Sequence, residues 1–65
     1  NDIDVFKIVY DYIKNNSNIL QKNIYKTLSV SGRRVAHMLE LAERLNIVSR
    51  VRYNDSWLLS IPVIE

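Results

Sequence analysis

Residues 29–46, SVSGRRVAHMLELAERLN, decide how this chain is read. Val35, Met38, Leu39, Ala42 and Leu45 fall at i, i+3, i+4, i+7 and i+10, one apolar stripe of helical period. Ser31 stands where a hydroxyl can accept from the free N–H groups of a first turn. Asn46 stands where a residue in the left-handed conformation ends a helix. A helix over residues 31–45 follows. Its first turn holds Gly32, Arg33 and Arg34, although the macrodipole favours acids there. The mismatch costs a few tenths to ~1 kcal/mol, which is small if that helix end faces an anion.

On either side of this helix the pattern changes. Upstream, QKNIYKTL at residues 21–28 forms a shorter helix with Ile24 and Leu28 inward. Ile19 and Leu20 before it suit a short strand or a buried link. Ile3, Phe6, Val9, Tyr10 and Ile13 recur at helical spacing, giving a first helix over residues 4–15 with Asp2 or Asp4 as N-cap. NNSN at residues 15–18 ends it, since Asn tolerates left-handed backbone.

Downstream, residues 47–61 read as a hairpin around Asn54, Asp55 and Ser56. A two-residue loop sets Arg52 opposite Trp57 and Arg50 opposite Leu59, mixing charge with apolar groups. A three-residue loop pairs Tyr53 with Trp57, Val51 with Leu59 and Ser49 with Ile61, separating an apolar face from a basic one. The second register is therefore expected.

Composition bounds the class. Sixty-five residues make one domain with one modest core, and 48% hydrophobic with 25% charged residues is a globular balance. The absence of cysteine excludes disulfides and thiolate metal sites. No apolar run approaches ~20 residues and no signal-peptide pattern opens the chain, so a cytoplasmic domain is expected. A chain opening on Asn1 is expected to be a piece of something longer, with room for further domains. One His, no Gly-rich phosphate loop and no paired carboxylates leave nothing for catalysis, so no enzyme, metal or cofactor is expected.

The charge is unevenly spread. Residues 21–52 carry seven basic side chains against two acidic ones, while the flanking segments are net negative. Such a concentration is the electrostatic footprint of a polyanion partner, with a solvated surface as the bland alternative.

Helix, short strand, helix, helix, hairpin is the layout of a helix-turn-helix with an appended wing. The residues ILQKNIYKTLSVSGRRVAHMLELAERLNIVSRVRYNDSWLLS, at 19–60, resemble the winged helix-turn-helix domains of MarR-like transcriptional regulators of archaea and bacteria. LSVS at residues 28–31 matches the turn, and LNIVSRVRYNDSWLLS at residues 45–60 matches the wing. The turn glycine common in that family is Ser29 here, and the glycine ending the recognition helix is Asn46.

The resemblance implies an α+β, mainly α fold that binds double-stranded DNA, with the third helix in the major groove and the wing on the backbone or minor groove. On a helical projection, Arg33, His37, Glu40 and Arg44 lie opposite the core stripe, with Arg34 and Leu41 on one flank. Arg33, His37 and Glu40 are the candidates for base readout, Arg33 as a bidentate donor to guanine. Lys22, Lys26, Ser29, Ser31, Gly32, Arg34, Arg44, Arg50 and Arg52 are the backbone and wing candidates, with Gly32 read as room for close approach. Neutralising about five phosphates predicts a slope of roughly −4 to −5 for log affinity against log salt. Each assignment has a plainer reading: His37 as a solvated histidine, Glu40 and Arg44 as a surface pair, and Tyr53 and Trp57 as core under the hairpin.

Val5, Ile8 and Tyr12 read as a second apolar side of the first helix, so a homodimer through it is expected, with the 62–64 tail a further contact. A regulator of this kind is expected at the nucleoid. The competing function is a protein-interaction module on the same fold, and RNA or single-stranded nucleic acid is a third partner class.

Overall fold

The computed structural model describes residues 2–16 and 18–62. Six elements follow in order: α1 Asp2–Asn15, β1 Ile19–Leu20, α2 Gln21–Thr27, α3 Gly32–Arg44, β2 Ser49–Tyr53 and β3 Ser56–Ser60. The fold is α+β and mainly helical, three helices followed by an antiparallel hairpin, the winged helix-turn-helix topology. β1 pairs with β3 from the other side, so the sheet order is β1-β3-β2 with β3 central.

Local chemistry sets the element ends. Ser31 caps α3, its Oγ accepting from the Arg34 N–H at 3.4 Å. At the other end Asn46 adopts φ 60°. Its N–H donates to the Glu43 carbonyl and that of Ile47 to the Ala42 carbonyl, the two bonds of a Schellman motif. Asn18 takes φ 64° and its N–H donates to the Leu59 carbonyl, tying the end of α1 to β3. α2 has no cap of its own, since its N-cap residue is Leu20. Ser56 of β3 supplies one from across the fold, accepting the Lys22 N–H at 3.3 Å.

The core consists of Val9 and Ile13 from α1, Ile24 from α2, Val35, Leu39 and Ala42 from α3, and Val48 and Leu59. Around it the structure corrects several expectations. α1 already includes Asp2 and Asp4, so neither stands at its N-cap position. Its buried line runs through Val5, Val9 and Ile13 at i, i+4 and i+8, with Tyr12 beside it. Val5 and Tyr12 therefore pack on the core and form no second face, while Ile8 stays 54% exposed. Ile3, expected inside, is 79% exposed. Leu45 is 70% exposed because α3 stops at Arg44, leaving Leu45 on the flank of the stripe as the chain turns away.

The hairpin register is also corrected. Tyr53 pairs with Ser56, Arg52 with Trp57, Val51 with Leu58 and Arg50 with Leu59, leaving a two-residue loop of Asn54 and Asp55. Asn54 takes φ 54°, as the first position of primed hairpin turns requires. Relative to the expected pairing β2 is slipped by one residue, which exchanges its faces. Trp57 and Leu59 stay on the inner side of β3, but Arg50 and Arg52 join them, and Val51 and Tyr53 turn outward to 60% and 53% exposure.

Candidate nucleic-acid interface

The slipped register works because Arg50 is neutralised where it lies. Its Nε and Nη2 both donate to Oε1 of Glu43, at 3.1 and 2.8 Å, and its Nη1 donates to Oε1 of Gln21 at 3.4 Å. The guanidinium also stacks 4.5 Å from the centre of the Trp57 ring, with the Arg52 guanidinium over the same ring at 5.1 Å. The Arg50 side chain is only 9% exposed. Arg50 therefore joins β2 to α3 and α2, and as a free wing cation it is a correction. Arg52 remains exposed.

The network continues inward. Gln21, buried at the start of α2, donates its Nε2 to the Tyr25 hydroxyl. The Tyr25 ring lies under Gly32, where an added Cβ would sit 3.5 Å from it, an ordinary contact. Gly32 has no left-handed φ, so the backbone does not demand glycine there. Its open side faces Tyr25 inside the fold, which corrects the reading of Gly32 as room for a ligand. Glu43, Gln21, Tyr25 and Trp57 thus fix the base of the hairpin relative to the first turn of α3. Sequence reasoning placed Trp57 under the hairpin but missed Glu43, Gln21 and Tyr25, because no spacing rule links residue 43 to residue 50 across a turn.

On α3 the outer face is as expected. Arg33, His37, Glu40 and Arg44 are all exposed there, and Leu41, 43% exposed, lies beside them. Glu40 and Arg44 form a surface ion pair at 3.0 Å, so their plainer reading holds. The Arg33 side chain makes no hydrogen bond or ion pair among the described residues. Arg34 is exposed on the flank.

Lys22 and Lys26 are exposed one turn apart on α2. Lys22 pairs with Asp55 of the hairpin loop at 3.4 Å, while Lys26 has no ion-pair partner among the described residues. Ser29 is exposed at φ 51°, taking the left-handed position that the turn requires. The Ser31 hydroxyl is already an acceptor for the helix but keeps its own hydrogen to donate. The first turn of α3, its outer face and the α2 lysines are thus exposed, while Arg50 is held at the base of the hairpin.

Among the described residues no helix is long and apolar enough to cross a membrane. Neither do they bring together three or more His, Asp or Glu side chains able to hold a metal ion. Comparison with protein-family models, with curated proteins and with solved structures yields no match to this chain.

Proposed function

We propose that this chain is a sequence-specific double-stranded DNA-binding domain of the MarR-like winged-helix kind, acting in transcriptional regulation at the nucleoid in the cytoplasm. α3 lies in the major groove, and the hairpin lies along the backbone or minor groove. The observation that carries the reading is Arg33, an exposed guanidinium with no partner among the described residues, at the head of a helix whose outer face is polar. There it has the reach and donor geometry for guanine O6 and N7. His37 and Glu40 extend the same face. Lys26, Arg34 and Arg52, with Lys22 and Arg44 exchanging their surface acids for phosphate, grip the backbone. The α3 N-terminus and the Ser29 and Ser31 hydroxyls add neutral donors. No catalytic step, metal or cofactor enters this reading.

A second reading has one observation in its favour. Lys22, Arg44 and Arg50 are each paired with an acid, which lowers the net positive field of the surface and suits a protein-interaction module. Fluorescence anisotropy of a labelled duplex pool at two salt concentrations separates the two. DNA binding requires that Arg33→Ala weaken the selected duplex by about ten- to a hundredfold. Arg52→Ala should weaken all duplexes more evenly. Unchanged affinity in both variants, or no duplex binding by the parent, turns the assignment to protein interaction.

A further inference from the structure

The register that withdraws Arg50 also leaves one strand edge open. β2 is hydrogen-bonded to β3 alone, so its other side is an edge of the sheet. The two-residue loop makes Tyr53 and Ser56 a hydrogen-bonded pair, and Val51 with Leu58 the next. The N–H and C=O groups of Arg50 and Arg52 therefore point away from β3. Among the described residues no turn, loop or side-chain hydrogen bond reaches them there. Proline or a bulge commonly blunts such an edge, and β2 has neither. At its root the edge meets an open groove of about 680 Å³, whose walls include Ser49 and Arg50 of β2 itself with Asn46 and Pro62.

Side chains alternate along this edge. On one face Val51 and Tyr53 are exposed, and Leu58 and Leu20 continue the row of Val51 across the sheet. On the other face Arg52 is exposed beside Trp57 and has no acidic partner among the described residues. An added antiparallel strand bonds through Arg50 and Arg52. In a two-fold pair of β2 edges those residues always meet their own kind, Arg against Arg, so a second copy is disfavoured. We propose that the β2 edge takes up an extended segment of another protein as a fourth strand, antiparallel like the rest of the sheet. The segment turns apolar residues toward Val51 and Tyr53 and sets a carboxylate beside Arg52. Its backbone bonds give the affinity, and the alternation gives the specificity. Arg50 adds no free charge, because Glu43 already neutralises it. This edge is not the outer face of α3, and binding to it is read without DNA. Only Arg52 is shared with the reading above, so the two stand or fall separately.

Nuclear magnetic resonance of the labelled protein with short end-blocked peptides, up to roughly millimolar, tests it. One peptide alternates valine with glutamate, the other valine with lysine. The glutamate peptide should shift the amide signals of Arg50 and Arg52 and slow their hydrogen exchange, while those of Val51 and Tyr53 are slow throughout. The lysine peptide should bind about three- to tenfold more weakly. In an antiparallel pair the glutamate nitrogens face β2, so methylating them should abolish binding, and methylating the valine nitrogens should not. Arg52→Glu should reverse the preference to the lysine peptide, with circular dichroism unchanged because the side chain is exposed. If neither peptide shifts Arg50 and Arg52, or methylated glutamates bind as well, the edge does not take up a strand. A preference that Arg52→Glu leaves as it was overturns the carboxylate pairing.

Discussion

Arg50→Ala tests the part of the fold that sequence patterning places wrongly. In the observed register the side chain is 9% exposed, gives two hydrogen bonds to Glu43 and one to Gln21, and stacks on Trp57. Charge-assisted hydrogen bonds are worth ~1.5–3 kcal/mol each in buried settings. Glu43 is 39% exposed, so water solvates part of what is left behind and the lower end applies. The stacked ring adds about 1 kcal/mol. These terms share one side chain and do not add fully, so a loss of about 2–3 kcal/mol is expected.

For a domain of this size that loss lowers Tm by roughly 10–20 °C. Far-ultraviolet circular dichroism is the suitable assay, because Trp57 fluorescence changes with the contact itself. Arg44→Ala is the internal standard. It breaks an exposed pair four residues apart and should cost only about 0.3–0.5 kcal/mol. Arg50→Met, which keeps the stem over Trp57, should fall between the two. If Arg50→Ala costs no more than Arg44→Ala, Arg50 faces solvent, and the three-residue loop is the true register.

Three further outcomes follow from the same geometry. Lys26, Arg34 and Arg52 are the basic side chains of residues 21–52 that the proposed reading gives to the DNA backbone without breaking a surface pair to Glu40 or Asp55. The salt slope of duplex binding should therefore lie near −3, reaching −4 to −5 only if Lys22 and Arg44 leave their acids; titration over several salt concentrations reads this directly. Ser29→Gly should stabilise the fold by about 0.5–1 kcal/mol in urea unfolding, because φ 51° is strained for serine and open to glycine; a loss would mean the serine side chain holds the turn. Gly32→Ala should be neutral or stabilising by up to ~1 kcal/mol and leave duplex affinity unchanged, since the new methyl meets Tyr25; a selective loss of affinity would restore the close-approach reading.

The parts of the fold legible in the sequence share one property: each rests on chemistry between near neighbours. The α3 stripe, the Ser31 cap and the Asn46 stop all lie within one helix and its ends, and all three appear in the structure, the stripe as far as Ala42. The faces of α1 were harder, because eight apolar residues in one helix fit more than one projection. The choice among them is made by what the helix packs against, and β3 and α3 select Val5, Val9 and Ile13.

The hairpin register failed for a more instructive reason. Separating apolar from basic residues assumes that an arginine on an inner strand face must be uncompensated. Glu43, Gln21 and Trp57 compensate Arg50 from three different elements, and none of them is a sequence neighbour. The same pairing alters the charge argument. A net +5 over residues 21–52 counts Lys22, Arg44 and Arg50 as free, yet each has an acid within hydrogen-bonding distance. The two surface pairs exchange for phosphate at little cost, because an exposed ion pair is worth at most ~1 kcal/mol. The Arg50 pair does not, since breaking it strips the hairpin base of its attachment to α3. The basic segment therefore divides by burial: exposed cations, which the proposed reading gives to a polyanion, and one withdrawn cation that holds the hairpin beside α3.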